Sequence, residues 1–292
     1  MNGILLVDKP AGWTSHDVVA RLRGLLKEKR IGHTGTLDPM ATGLLVVFVG
    51  RATRAVQFAE ADEKQYLATI RLGLTTDTQD TTGQALRACD AAAARDALPG
   101  ILPRFTGELW QTPPMYSAIK IGGQKLVDVA RRGGELPREP RRITIHELRI
   151  SGEFEGDPLL FVHCSKGTYV RTLFHDMGEA LGCGACLSSL RRVAAGPFSI
   201  VDAYRMGEIN CEAVMGNAAS LMLPLDTLFE MYPALTANAA EERAIRCGQG
   251  FDTAGAPVGH LRLYGESGEF LALAASDGNY VQAVKSFFEV TA

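Results

Sequence analysis

Residues 43–50, GLLVVFVG, are apolar without a break. A strand with one wet face alternates apolar and polar residues, whereas an unbroken run has both faces buried. The chain must therefore surround this segment and cover it from two sides. The residues just before it are of the opposite kind. GHTGTLDPMATG (32–43) holds three glycines, three threonines, one histidine, one proline and a single acidic residue, Asp38. Polar loops carried on a rigid scaffold are where reactive side chains are usually presented.

The flanking segments supply that scaffold. GILLV (3–7) reads as a strand stopped by the turn DKPAGW. TSHDVVARLRGLLKEK reads as a helix capped by Thr14 or Ser15, with Val18, Val19, Leu22, Leu25 and Leu26 at helical spacing and Gly32 at its end. KQYLATIRLGLTTDTQDTTG (64–83) alternates as a strand to Gly73 and then becomes a polar loop. Residues 89–102 are alanine-rich and helical in pattern. The stretch 111–142 mixes Pro, Gly and charge and reads as a long binding excursion. ITIHELRIS and PLLFVHCS read as paired strands, and GTYVRTLFHDMGEAL opens a helix. Near residue 230 the texture changes to short strand-like runs, HLRLYG, EFLALAAS and YVQAVKSFF. Interleaved strands and helices of this kind predict an α+β fold rather than a regular βαβ series. The expected division is one domain over 1–230 and a small all-β unit over 231–292.

Composition narrows the function. The net charge of -3 gives no overall reason for a polyanion partner, so local clusters must decide. No run of 18 apolar residues is present, so no membrane helix is expected. MNGILLVDKPAGW has no basic leader and does not read as a signal peptide. Six scattered cysteines fit reduced thiols in a cytoplasmic protein. Cys183 and Cys186 form one C-x-x-C with no second pair at zinc spacing, which reads as two ordinary thiols.

Several chemistries are open at Asp38. The carboxylate can close an Asx turn in its own loop or serve as a reactive group. A phosphate cradle is excluded by the missing G-x-x-x-x-G-K-[ST]. His33, Asp38, Asp77 and Asp80 lack the spacing of a calcium loop, and no metal site is expected. Basic residues gather in three groups beside polar loops: Arg21, Arg23, Lys27, Lys29 and Arg30; Arg131, Arg132, Arg138, Arg141 and Arg142; and Lys166, Arg171, Arg191 and Arg192. Such groups suit phosphodiester contacts, and Tyr66, Tyr116 and Tyr169 offer faces for unstacked bases.

Four blocks in order carry a family resemblance: GILLVDKPAGWTSHDVVARLR, GHTGTLDPMATGLL, YLATIRLGLTTDTQDTTG with QTPPMYSAIK, and CSKGTYVRTL followed by LRR. The chain resembles the bacterial TruB-type tRNA pseudouridine synthases, which modify position 55 of the tRNA T loop. The resemblance implies a catalytic domain with a mixed, mostly antiparallel sheet and a small PUA-like RNA-binding domain at the C-terminus. It implies Asp38 as the nucleophile, Tyr66 as the stacking residue and proton acceptor, and Arg171 as the partner of Asp38. Tyr169 and Leu190 would line the pocket, and His33 would belong to the loop holding flipped-out bases. Lys9 would stand on the substrate side or, with Pro10, support the fold. Lys27, Arg141 and Arg142 would contact RNA. The implied partner is the T arm of tRNA, bound by a monomer with no obligate protein partner, no membrane and no cofactor. Two positions depart from the family pattern: Val127, where a tyrosine is common, and Cys186. Two other readings stand beside this one, a non-catalytic tRNA-binding module and a guide-RNA-dependent, dyskerin-like synthase.

Overall fold

The computed structural model describes residues 1–59 and 63–289. The unbroken apolar run becomes the strand Thr42–Val49, and every residue from Gly43 to Val49 is buried. Its side chains divide between two cores. Leu45, Val47 and Val49 pack with Val18 and Leu22 of the helix Ser15–Leu26. Leu44, Val46 and Phe48 pack with Ala52 and Phe229 and with Leu273 and Phe287 of the C-terminal unit. Each fully buried Leu, Val or Phe contributes about 1.5–3 kcal/mol, so this one strand anchors much of the molecule.

Among the described residues the strand belongs to a ten-stranded sheet. In spatial order its main path runs Tyr204–Arg205, Gly3–Lys9, Thr42–Val49, Ala185–Ala195, Lys64–Leu72, Asp157–Cys164, Arg141–Phe154 and Gly107–Gln111. Two pairings are parallel, Gly3–Lys9 with Tyr204–Arg205 and Thr42–Val49 with Ala185–Ala195; the others are antiparallel. The expected α+β class with a mixed, mostly antiparallel sheet is what the chain adopts. A third core, holding Tyr66, Ile70 and Leu190, is covered by Leu173, Phe174 and Met177 of the helix Val170–Ala180.

The parallel junction sets up the site. Thr42 and Gly43 lie opposite Arg191 and Arg192. Gly43 has φ +98°, and a Cβ there would stand 2.3 Å from the Arg192 carbonyl oxygen. Only glycine lets the two backbones approach so closely.

The helix after Thr14 ends at Leu26, with Lys27 in the left-handed region at φ 50°, rather than running to Gly32. Ile31–Thr34 is a strand paired with residues 46–49, so His33 stands on a strand and not in the loop. Four residues are too short for periodicity to separate a strand from a loop. The excursion folds back on itself through the hairpin Lys120–Ile121/Gln124–Lys125 and the helix Leu126–Ala130, anchored by the fully buried Leu126.

The C-terminal unit is a five-stranded sheet among the described residues. It also carries the helix Ala239–Arg246, capped reciprocally by Asn238 and Glu241. That capping box stands in the sequence as NAAE, overlooked beside the strand-like runs. Stacked Phe270 and Phe287, 5.5 Å apart, meet Phe229 and fasten the unit to the outer face of the large sheet. No helix among the described residues is long and apolar enough to cross a membrane.

Candidate active site

The loop carrying Asp38 is held from below at both sides. Ser15 Oγ accepts from the Leu37 amide at 3.0 Å and donates to the Leu37 carbonyl at 3.3 Å. Lys9 Nζ donates to the carbonyls of Pro10, Trp13 and Pro39 at 2.9, 2.7 and 3.3 Å. Thr14 caps the helix, leaving Ser15 free for the loop. Lys9 is fully buried with all three donors on main chain. It supports the loop, and no donor remains for a substrate, which corrects its placement on the substrate side. Burial pushes its ammonium down to about 8, against the nearby charge of Asp38.

Pinned this way, the carboxylate does not close its own loop; it reaches across the cleft. Arg171 Nε lies 2.9 Å from Asp38 Oδ2, and Arg171 Nη2 donates to Oδ1 at 3.3 Å. This two-point contact fixes orientation as well as charge. Arg171 is itself immobilised. Its guanidinium donates to the carbonyls of Thr78 and Tyr116, both at 2.8 Å, and stands 3.7 Å from Asp80 Oδ2. The Arg171 side chain is 5% exposed and that of Asp38 is 35% exposed, so the cation is sealed in while the carboxylate faces the cleft. Gln111 holds the start of the Arg171 helix, donating to the Tyr169 carbonyl at 3.1 Å and accepting from its amide at 2.8 Å.

A neighbouring arginine alone would lower the Asp38 pKa. Here burial outweighs Arg171, and Asp80 adds to the effect of burial, so the carboxyl is raised above its ordinary 3.8.

Tyr66 lies on the next strand over, 8% exposed and in one core cluster with Leu37 and Leu190. Its cross-strand partner is Arg192. That guanidinium is fixed by the carbonyls of Leu44 and Gly35 at 2.6 and 2.8 Å. Its Nη2 is buried with no hydrogen-bond partner among the described residues. Burial pushes the Tyr66 phenol up to about 12, with Arg192 pulling the other way. Tyr169 is half-buried at the mouth, close enough to feel Arg171, Arg141 and Asp38.

The structure thus brings Asp38, Tyr66, Arg171, Tyr169 and Leu190 together. The His33 ring lies 5.6 Å from that of His16. Burial first, with His16 and Arg192 acting in the same direction, pushes it down to about 4, so it is neutral at pH 7. Lys27 sits at the far end of a twelve-residue helix whose first residue holds the loop, about 18 Å away by helix rise. Arg141 is exposed on the strand next to the sheet edge, while Arg142 pairs with Glu108 on the edge strand Gly107–Gln111. The third basic group is not a phosphate surface. Arg171 and Arg192 are buried, and Arg191 pairs with Asp8 at 2.9 Å. Only Lys166 of that group is exposed. Sequence reasoning missed Ser15 as a loop clamp, Gln111 as a helix clamp, Asp80 as a second carboxylate on Arg171, and the role of Arg192. Cys183 and Cys186 are buried free thiols.

Comparison with known proteins identifies the family. Residues 23–170 match the N-terminal domain model of the TruB family of pseudouridylate synthases, and residues 171–230 match the tRNA pseudouridylate synthase B C-terminal domain. The tRNA pseudouridine synthase B of Aromatoleum aromaticum is 42% identical over 96% of this chain and 90% of its own. That of Geobacter sulfurreducens is 46% identical over 82% and 80%. Cbf5, in a crystal structure of a Cbf5–Nop10–Gar1 complex, superposes with a TM-score of 0.74 at 26% identity, covering 98% of this chain and 85% of that one. The fold is that of a pseudouridine synthase with a small PUA-like C-terminal domain. Within that class, the chain belongs to the TruB family.

Proposed function

We infer that this chain is a tRNA pseudouridine synthase that isomerises uridine 55 in the T loop, with Asp38 as its nucleophile. The observation that carries the reading is the sealed Arg171 guanidinium holding the partly exposed Asp38 carboxylate, on a loop whose Leu37 packs in one core cluster with Tyr66 and Leu190. Isomerisation breaks the N-glycosidic bond, turns the base and rejoins it through carbon 5. A carboxylate that bonds to the substrate divides this into two easier steps. The target base is first flipped out, at about a few kcal/mol, and stacking on Tyr66 returns about 1–3 kcal/mol. The final proton leaves carbon 5 toward the Tyr66 oxygen. Because the resting group is the phenol, Tyr66 first passes its own proton to water, Arg192 favouring the phenolate so formed, and that oxygen then takes the proton from carbon 5. The 1–230 region would act as the catalytic domain and 231–292 as an accessory RNA-binding domain, in a cytoplasmic enzyme working as a monomer.

Tyr66→Phe is expected to keep tRNA affinity and lower the single-turnover rate about 10²–10⁴-fold. Tyr66→Phe turning over at the wild-type rate removes the proton-acceptor role. Arg141→Ala is expected to weaken tRNA binding and reduce the salt slope by about 0.7–0.9. Arg142→Ala should alter the slope less, since it removes a cation already paired with Glu108. Equal slopes for wild type and Arg141→Ala, read by filter binding at several salt concentrations, would mean that Arg141 meets no phosphate.

Specificity is tested by mapping pseudouridine on an unmodified tRNA transcript and on an isolated T-arm hairpin, with no protein added besides this chain. Product at position 55 on both is expected. Activity that requires a guide RNA or further proteins would favour the dyskerin-like reading, and tight binding without product the non-catalytic one.

A further inference from the structure

Glu63, His146 and His163 bring three metal-capable side chains to one point outside the cleft. His146 Nε2 lies 3.0 Å from Glu63 Oε1, and His163 Nε2 lies 2.8 Å from Oε2. The ligand atoms all fall within 4.8 Å of one another. The residues come from three neighbouring strands of the sheet, Glu63 immediately preceding Lys64–Leu72.

The local backbone is shaped for this convergence. Ile145 and Leu148 both face the core, so two successive residues between them lie outside. The ladder pairs Ile145 with Cys164 and Glu147 with His163, with an irregularity between. His146 is the extra residue of a β-bulge. A bulge re-aims a side chain, and this one sets His146 beside His163 on the outer face. The imidazole centroids are 4.8 Å apart. Glu63 is tied in place from the main chain, its carbonyl accepting from the Gly196 amide at 3.0 Å. The His146 and His163 side chains are 33% and 24% exposed, so a hydrated ion can reach them.

We propose that Glu63, His146 and His163 bind a borderline divalent cation, Zn²⁺ in the first instance. Two imidazoles and one carboxylate form a three-ligand protein set that Zn²⁺ accepts, and Co²⁺ and Ni²⁺ suit the same donors. Mg²⁺ and Ca²⁺, which favour all-oxygen sites, do not match it. A bound cation would clasp three strands together only three residues from Tyr66 on the strand that presents it. The ion is a clamp and takes no part in the isomerisation.

The test uses the full chain, stripped with chelator and titrated with Co²⁺ in the visible range. The expected result is one Co²⁺ per chain, ligand-field bands without a sulfur-to-cobalt band, and displacement by Zn²⁺. His146→Ala and His163→Ala should each weaken Zn²⁺ binding by more than about tenfold. Zn²⁺ should raise the Tm of the wild type and not of either variant. Retained tRNA isomerisation shows that the variants fold. No uptake by the wild type overturns the proposal. So does uptake that survives both substitutions, as it would at the exposed Cys89, Cys211 or Cys247 with a sulfur band.

Discussion

Asp38→Asn is expected to fold, bind tRNA within about tenfold of wild type, and lose at least about 10⁴ in turnover. The amide keeps the shape and retains an oxygen to accept from Arg171, but it is no nucleophile. The fold should tolerate the change. Asp38 titrates above its ordinary value because burial disfavours its charge. The native state therefore holds that proton to higher pH than the unfolded chain does. Stability contributed by this group is full below the unfolded value of 3.8 and is lost as pH rises through the folded one. At neutral pH the ionised carboxylate is thus a burden on the fold that asparagine lifts. The variant's Tm at pH 7 should be no lower than wild type. A large fall in Tm would mean that the carboxylate is needed to hold Arg171 in place, and the loss of activity would then have a second cause.

Arg171→Ala is expected to cost both rate and stability. Two carboxylates, Asp38 and Asp80, and the carbonyls of Thr78 and Tyr116 converge on this guanidinium. Removing it leaves buried acceptors without their donor, at about 3 kcal/mol in denaturant unfolding. It also joins three separate stretches, the Asp38 loop, the 77–83 loop and the excursion at Tyr116. The single-turnover rate should fall about 10²–10³-fold, because misplacing a reacting group by an ångström costs that much. One readout separates electrostatics from structure. Arg171 opposes the rise in the Asp38 pKa, so its loss should move the acid limb of the pH–rate profile to higher pH. An unmoved limb would leave Arg171 a purely structural role.

The large features of this protein were legible because they rest on patterns longer than a few residues. The unbroken run 43–50 required cover on two faces, and two hydrophobic cores supply it. GHTGTLDP marked the loop that carries Asp38, and the four family blocks identified its partners. What escaped was set by tertiary contact. Nothing local distinguishes Arg192 from Arg191, yet one is 1% exposed beneath Tyr66 and the other pairs with Asp8 near the surface. The pairing of strands 42–49 and 185–195, distant in sequence, decides which is which. Gln111 likewise reads as the first residue of the excursion until Tyr169 is folded against it. The direction of the Asp38 pKa shift is set by tertiary contact in the same way. The sequence names the arginine, but only the fold shows how deeply the carboxylate sits.

The most direct test of the central claim is tritium release from a T-arm hairpin carrying 5-tritiated uridine, run in single turnover with wild type and Asp38→Asn side by side. Forming the new bond through carbon 5 must expel that hydrogen, so release reports isomerisation itself. Release by the wild type alone, with both proteins binding the hairpin, is the predicted result. Release by Asp38→Asn at a comparable rate would contradict the assignment of Asp38 as the nucleophile.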